Sequence, residues 1–234
     1  MKKWLNYIKL FWYFAANWDP VLAGFILWHE VRGEKKYRIA TSEPLELSEL
    51  TILNGNISQS SRYEAVNYFI LEALLSRLRT ISEETSFTDL GCGKGRAMVV
   101  AAHYGFTQIK GVDFAQEVCR VAEEHLQQLH MQFPQMEYQL YCQNVLDYAI
   151  QPDEHVFFLF NPFSNEILSR FLEKVDISIA QYPRTIYFLY ASPKHVETFF
   201  AFEYEPVYRK RKLKWLDGVI LKKELQHPAP GAIL

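Results

Sequence analysis

Phe87-Thr88-Asp89-Leu90-Gly91-Cys92-Gly93-Lys94-Gly95 joins a strand-like start to three alternating glycines. Glycine has no Cβ, so it can take a sharp turn and let a backbone approach a ligand closely, and residues 96–102 continue as helix formers and apolar residues. A strand turning through glycines into a helix is the kind of loop that receives a nucleotide cofactor, although a tight strand-to-helix turn would explain the glycines alone. Two neighbours add chemistry. Asp89 is spaced to bring a carboxylate to a cationic amino group, and Ile109-Lys110-Gly111-Val112-Asp113 is a second short strand whose terminal acid lies about 20 residues on, where a ribose diol is usually held. Asn161-Pro162-Phe163 directly follows a fourth apolar strand, at the carboxyl edge where open α/β sheets bind ligands. There the Asn161 amide oxygen can accept from a substrate amine while Phe163 covers its face; alternatively, the loop is stiffened by proline and Asn161 satisfies backbone groups.

These pieces resemble the class I S-adenosylmethionine-dependent methyltransferases. The matching residues are Asp89 to Gly95, Gly111-Val112-Asp113, Asn144-Val145-Leu146-Asp147 after a third strand, and Phe157 to Phe163 around the fourth, and the resemblance covers residues 60–224. The order of pieces is most similar to the non-SET histone-lysine methyltransferases and their bacterial relatives. The resemblance implies S-adenosylmethionine as cofactor. Gly91 and Gly93 would admit it, Asp89 would orient its amino group directly or through water, and Asp113 would take its ribose hydroxyls. Asn144 stands where the family commonly has an aspartate that accepts from the adenine amino group, and an asparagine oxygen can also accept; a loop residue capping the next turn is the alternative. Tyr63 is a further candidate at the methionine end, against an ordinary helix tyrosine. Asn161-Pro162-Phe163 is similar to the Asn-Pro-Pro-aromatic motif of amino methyltransferases with one proline missing.

The implied activity is methyl transfer to a nitrogen nucleophile, with a protein side chain ahead of nucleic acid or a small amine. Such transfer needs positioning more than acid-base help, because the sulfonium leaving group departs neutral. Two other readings compete. A nicotinamide-dependent oxidoreductase also uses a glycine loop and an acidic second strand, but Asp89 before the glycines and the hairpin at the chain's end argue against it. A non-catalytic cofactor-binding or membrane-recruited interaction protein is favoured by the aromatic N-terminus and opposed by Asn161-Pro162-Phe163.

The positioning elements follow from periodicity. Val66, Phe69, Ile70, Ala73, Leu74 and Leu78 recur at helical intervals after a Ser61/Glu64 capping box, predicting a helix over 62–79. Helices are expected from the glycine loop to about residue 104, over 115–131, and around Ile167, Leu168, Phe171, Leu172 and Val175; strands are expected over 109–113, 136–142, 156–160 and 185–190. The alternation specifies an α/β, Rossmann-like methyltransferase fold: a mostly parallel twisted sheet with helices on both faces. Strands over 207–216 and 219–223 flank Asp217-Gly218, a hairpin signal that closes the sheet with an antiparallel pair.

The chain divides into an aromatic-rich helical extension, 1–60, and a core, 61–234. Two helices are expected in the extension, the second started by Asp19-Pro20 and ended at Gly33. The extension reads as a lid or buttress whose tryptophans cover apolar surface beside the cleft; a peripheral membrane contact through residues 1–33 is the alternative. With 234 residues, 49% hydrophobic, the chain can bury one sizeable core, and a net charge of −2 gives no global footprint for nucleic acid. The basic run from Tyr208 to Lys214 is either a guarded strand edge or a contact for an acidic partner such as RNA. Three unclustered cysteines and histidines without metal spacing suggest a cytoplasmic protein with no metal site.

Overall fold

The computed structural model describes residues 2–41 and 65–224. Two helices open it, α1 (Lys2–Asn17) and α2 (Pro20–Tyr37). Asp19 accepts from the Val21 and Leu22 amides while Pro20 fills the first helical position, so α2 starts where its capping residues predict. Gly33 does not end it. The helix runs to Tyr37, and Gly33 lies inside, where an added Cβ would collide with the Tyr68 ring. The glycine is there for close helix packing rather than for a cap.

Next comes α3 (Tyr68–Leu78), later than expected because Asn67 caps it by accepting from the Phe69 amide. The Ser61/Glu64 capping box lies outside the described residues. Of the stripe that periodicity predicts, Ile70, Leu74 and Leu78 are buried while Phe69 and Ala73 are half-buried, and Leu71 and Leu75 are buried beside them.

The core then alternates: β1 (Ser86–Leu90), α4 (Arg96–His103), β2 (Gln108–Asp113), α5 (Gln116–Gln132), β3 (Glu137–Cys142), β4 (Val156–Leu159), α6 (Asn165–Gln181), β5 (Ile186–Ala191), α7 (Val196–Ala201), β6 (Glu205–Lys212) and β7 (Leu216–Lys223). The seven strands pair in the order β3-β2-β1-β4-β5-β7-β6, parallel except around β7, which runs antiparallel to both neighbours. One apolar core lies between the sheet and α2 to α5, and a second lies under α6 and α7. The central strand β1 is buried throughout, with Phe87 in the first core and Leu90 in the second.

The terminal hairpin forms, but not at Asp217-Gly218. Both residues lie inside β7, and the chain reverses at 213–215, with Leu213 and Lys214 at φ 48 and 54. Asp217 is held across the pair by Arg209, at 3.0 Å from Nε and 2.6 Å from Nη2. Gly218 packs against Ile70, where an added Cβ would stand 2.7 Å from Cγ2. Tertiary packing claims the dipeptide that local turn chemistry would have used.

Candidate active site

Crossovers in a parallel sheet bring the carboxyl ends of its strands to one edge, so residues far apart in sequence meet there. Leu90 of β1 leads into the glycine loop, β2 ends at Asp113, and β4 leads into Asn161-Pro162-Phe163. Because β7 is antiparallel, the 213–215 turn also faces this edge, beyond the end of β5.

The loop after β1 is clasped to the end of β2. Gly91 and Cys92 donate backbone N–H bonds to the Val112 carbonyl at 2.8 and 3.1 Å, and Gly93 donates to Asp113 Oδ2 at 2.9 Å. Gly91, Gly93 and Gly95 all have positive φ, between 51 and 79. Gly91 is doubly constrained, since an added Cβ would also sit 2.5 Å from Pro162 Cβ. Its bare Cα therefore lets the loop after β4 close against the loop after β1.

Asp113 also accepts at Oδ1 from the Ala115 amide at 3.0 Å, where the chain turns into α5. Burial raises its carboxyl pKa, and the amides of Ala115, Gly93 and Phe114 oppose the rise. Asp89 is different. It is 3% exposed and accepts no hydrogen bond among the described residues, and burial pushes its carboxyl well above the ordinary range, with the Asp113 charge adding to the effect. A buried carboxylate beside a glycine loop and without a donor is poised for a cationic partner. The Cys92 thiol is also driven up, by burial and then by the Asp113 and Asp89 charges, so it is a poor nucleophile.

Asn144 follows β3, and its Oδ1 accepts from the Leu146 amide at 2.9 Å, the local capping contact weighed as its alternative role. Asn161 lies at φ 45 with both ends of its amide used. Its Nδ2 donates to the Ser192 carbonyl, and its Oδ1 accepts from the Tyr190 hydroxyl at 2.6 Å and the Lys194 amide at 3.3 Å. The expectation that this oxygen meets a substrate amine is corrected: the side chain instead ties the loop after β4 to the loop after β5. The main-chain carbonyls of Asn161 and Pro162 accept no hydrogen bond among the described residues. Phe163 is half-buried against the second core. Tyr63 lies outside the described residues.

Sequence reasoning missed the anchor of this region to the extension. Arg96, at the first turn of α4, is buried against Glu30 of α2, bonding Oε2 from Nη1 at 3.0 Å and Oε1 from Nη2. It also donates to Thr41 Oγ1 at 2.7 Å and the Val66 carbonyl at 2.8 Å, and lies 4.2 Å over the Tyr68 ring. The available signal was a pair of acids, Glu30 and Glu34, on the face of α2 that also carries Leu22, Ile26 and Tyr37.

Residues 88–157 match the family model of a methyltransferase domain. A search of curated proteins returns no match. Among solved structures, a candidate RNA methyltransferase of Pyrococcus horikoshii superposes with a TM-score of 0.55 and 16% identity, covering 84% of this chain and 98% of its own. An S-adenosylmethionine-dependent methyltransferase of Aquifex aeolicus gives 0.50 and 11%, covering 65% and 88%. At such identities the likeness concerns the fold. The chain is thus similar to methyltransferases in two respects, a methyltransferase-domain match over residues 88–157 and the fold of the whole sheet.

Proposed function

We propose that the protein transfers the methyl group of S-adenosylmethionine to a nitrogen nucleophile on a protein side chain. The observation that carries the cofactor assignment is Asp89, a buried carboxylate that accepts no hydrogen bond from the described residues and fits the cofactor's ammonium group. Asp113 fits the ribose hydroxyls beside Gly93, and Asn144 the adenine edge through whatever capacity its Leu146 contact leaves free. When bound, the cofactor supplies an electrophilic methyl on sulfonium and leaves as a neutral thioether. The chain's own part is to position and to exclude water. Nitrogen is favoured as acceptor because the carbonyls of Asn161 and Pro162 accept no hydrogen bond from the described residues and could take N–H donors, with Phe163 beside them. Asn161 is a positioning residue in this scheme, acting through the loop it holds.

Calorimetric titration with S-adenosylmethionine against NAD tests the cofactor class, and binding of NAD alone would overturn the reading. Asp113→Ala should weaken S-adenosylmethionine binding by about 1.5–3 kcal/mol, the range for hydrogen bonds to a charged group; unchanged affinity in the folded variant would remove the ribose role. Asn161→Ala should keep cofactor affinity and lower turnover on the order of 100-fold through misplacement of the loop. Loss of cofactor affinity with the fold intact would assign Asn161 to the cofactor instead.

A nucleic-acid acceptor is the second reading, favoured by the hairpin tip. Arg211, Lys212, Lys214 and Trp215 are exposed there, on the binding edge, with Lys214 Nζ 4.8 Å from the Trp215 ring centroid. Lysines guard an edge strand, but an exposed indole beside them also suits base stacking.

A further inference from the structure

The tryptophans of the extension are not buried against the core. Trp4 is 70% exposed, Ile8 55%, Trp12 65% and Trp28 60%, and Leu5, Trp18, Val21 and Val31 are exposed with them. This departs from the expected covering role. Trp4, Ile8 and Trp12 recur every four residues, so they form one stripe of α1, while Tyr7 faces inward and donates to Glu34 of α2 at 2.5 Å. On α2, Val21, Trp28 and Val31 share a face at helical spacings of seven and three. The helices themselves are anchored, through Tyr7 and through the Glu30–Arg96 pair, so the exposure belongs to a folded surface.

From this surface we infer that α1 docks the enzyme on an anionic lipid bilayer, lying in the interface rather than crossing it. Two observations select lipid over a second copy of the chain. First, α1 carries Lys2, Lys3 and Lys9 and no acid, whereas the whole chain has a net charge of −2, so the helix is opposite in sign to the molecule that bears it. A second copy would bring a helix of the same positive sign against it. Second, the exposed residues are mainly tryptophans, whose amphipathic rings sit at headgroup level, combined with lysines that meet lipid phosphates. Among the described residues, no helix is long and apolar enough to cross a membrane. The docked enzyme would then work on acceptors at or near the bilayer surface.

The test uses the full chain in co-sedimentation with vesicles of phosphatidylcholine alone or mixed with phosphatidylglycerol, at low and high salt. Binding should require phosphatidylglycerol, weaken with salt, and blue-shift tryptophan emission. Trp4→Ala with Trp12→Ala should reduce it at least about tenfold, as expected for losing two interfacial rings, and Lys9→Glu should weaken it too. Circular dichroism and cofactor titration check that these surface variants remain folded. Failure to bind anionic vesicles, equal binding to both compositions, or uptake unaffected by the tryptophan changes would each overturn the inference. Concentration-dependent dimers dispersed by the same substitutions, without lipid uptake, would assign the face to a second copy.

Discussion

Replacing Glu30 by Ala is expected to cost about 3–5 kcal/mol of folding stability, the range for breaking a buried ion pair by removing one partner. The Arg96 guanidinium would stay buried, keeping Thr41, the Val66 carbonyl and the Tyr68 ring but losing its carboxylate. Glu30→Gln should cost less, because an amide still accepts one of the two bonds. Urea unfolding followed by circular dichroism measures both. The pair joins α2 to the turn after the glycine loop, so the damage should also reach cofactor binding. Deleting residues 1–33 removes Glu30 together with the α2 face that packs on Tyr68, and should destabilise the core strongly. Removing α1 alone should cost far less, since its outer stripe covers nothing among the described residues. An Ala variant with an unchanged unfolding midpoint would show that the contact contributes nothing to holding the extension in place.

Asp89→Asn should move stability and binding in opposite directions. In the ligand-free protein Asp89 is buried and accepts no hydrogen bond from the described residues, and an amide there avoids the cost of a buried ionisable group, so the apo melting temperature should hold or rise. Affinity for S-adenosylmethionine should fall by about 1.5–3 kcal/mol, roughly tenfold to more than a hundredfold, as the charge-assisted bond to the ammonium group is lost. The pH dependence follows from the raised pKa. Folded Asp89 holds its proton to higher pH than the unfolded chain does, so its contribution to apo stability is full below the unfolded value and is lost as pH rises through the folded one. Cofactor binding selects the ionised form, so affinity should climb through that same raised pKa, with a proton released on binding below it. Calorimetry at a series of pH values above the ordinary carboxylate range, in buffers of different ionisation enthalpy, reads the proton, and the Asn variant should flatten the profile. A wild-type profile already flat over that range, or an Asn variant that binds normally, would remove Asp89 from the ammonium site.

The sequence alone determined the alternation of strands and helices, the parallel sheet with its antiparallel end, and the placing of Asp89, Asp113 and Asn161 along one edge. These are consequences of local periodicity and of glycine at fixed positions, which short stretches of chain encode by themselves. The Asp19-Pro20 start of α2 was legible for the same reason. Only the tertiary structure decided which partners each side chain would meet. Asn161 looked available to an acceptor until Tyr190, Ser192 and Lys194 were seen to use its amide. Asp217-Gly218 carried a turn signal that packing against α3 and pairing with Arg209 overrode, and Gly33 served helix packing rather than a cap. The burial of Arg96 against Glu30 and the exposure of Trp4 and Trp12 lay beyond pattern reading as well. A residue's type gives what it could bond or bury, but which option is realised depends on groups elsewhere in the chain, 29 and 31 positions from Asn161 and 66 from Arg96, which only the folded arrangement brings together.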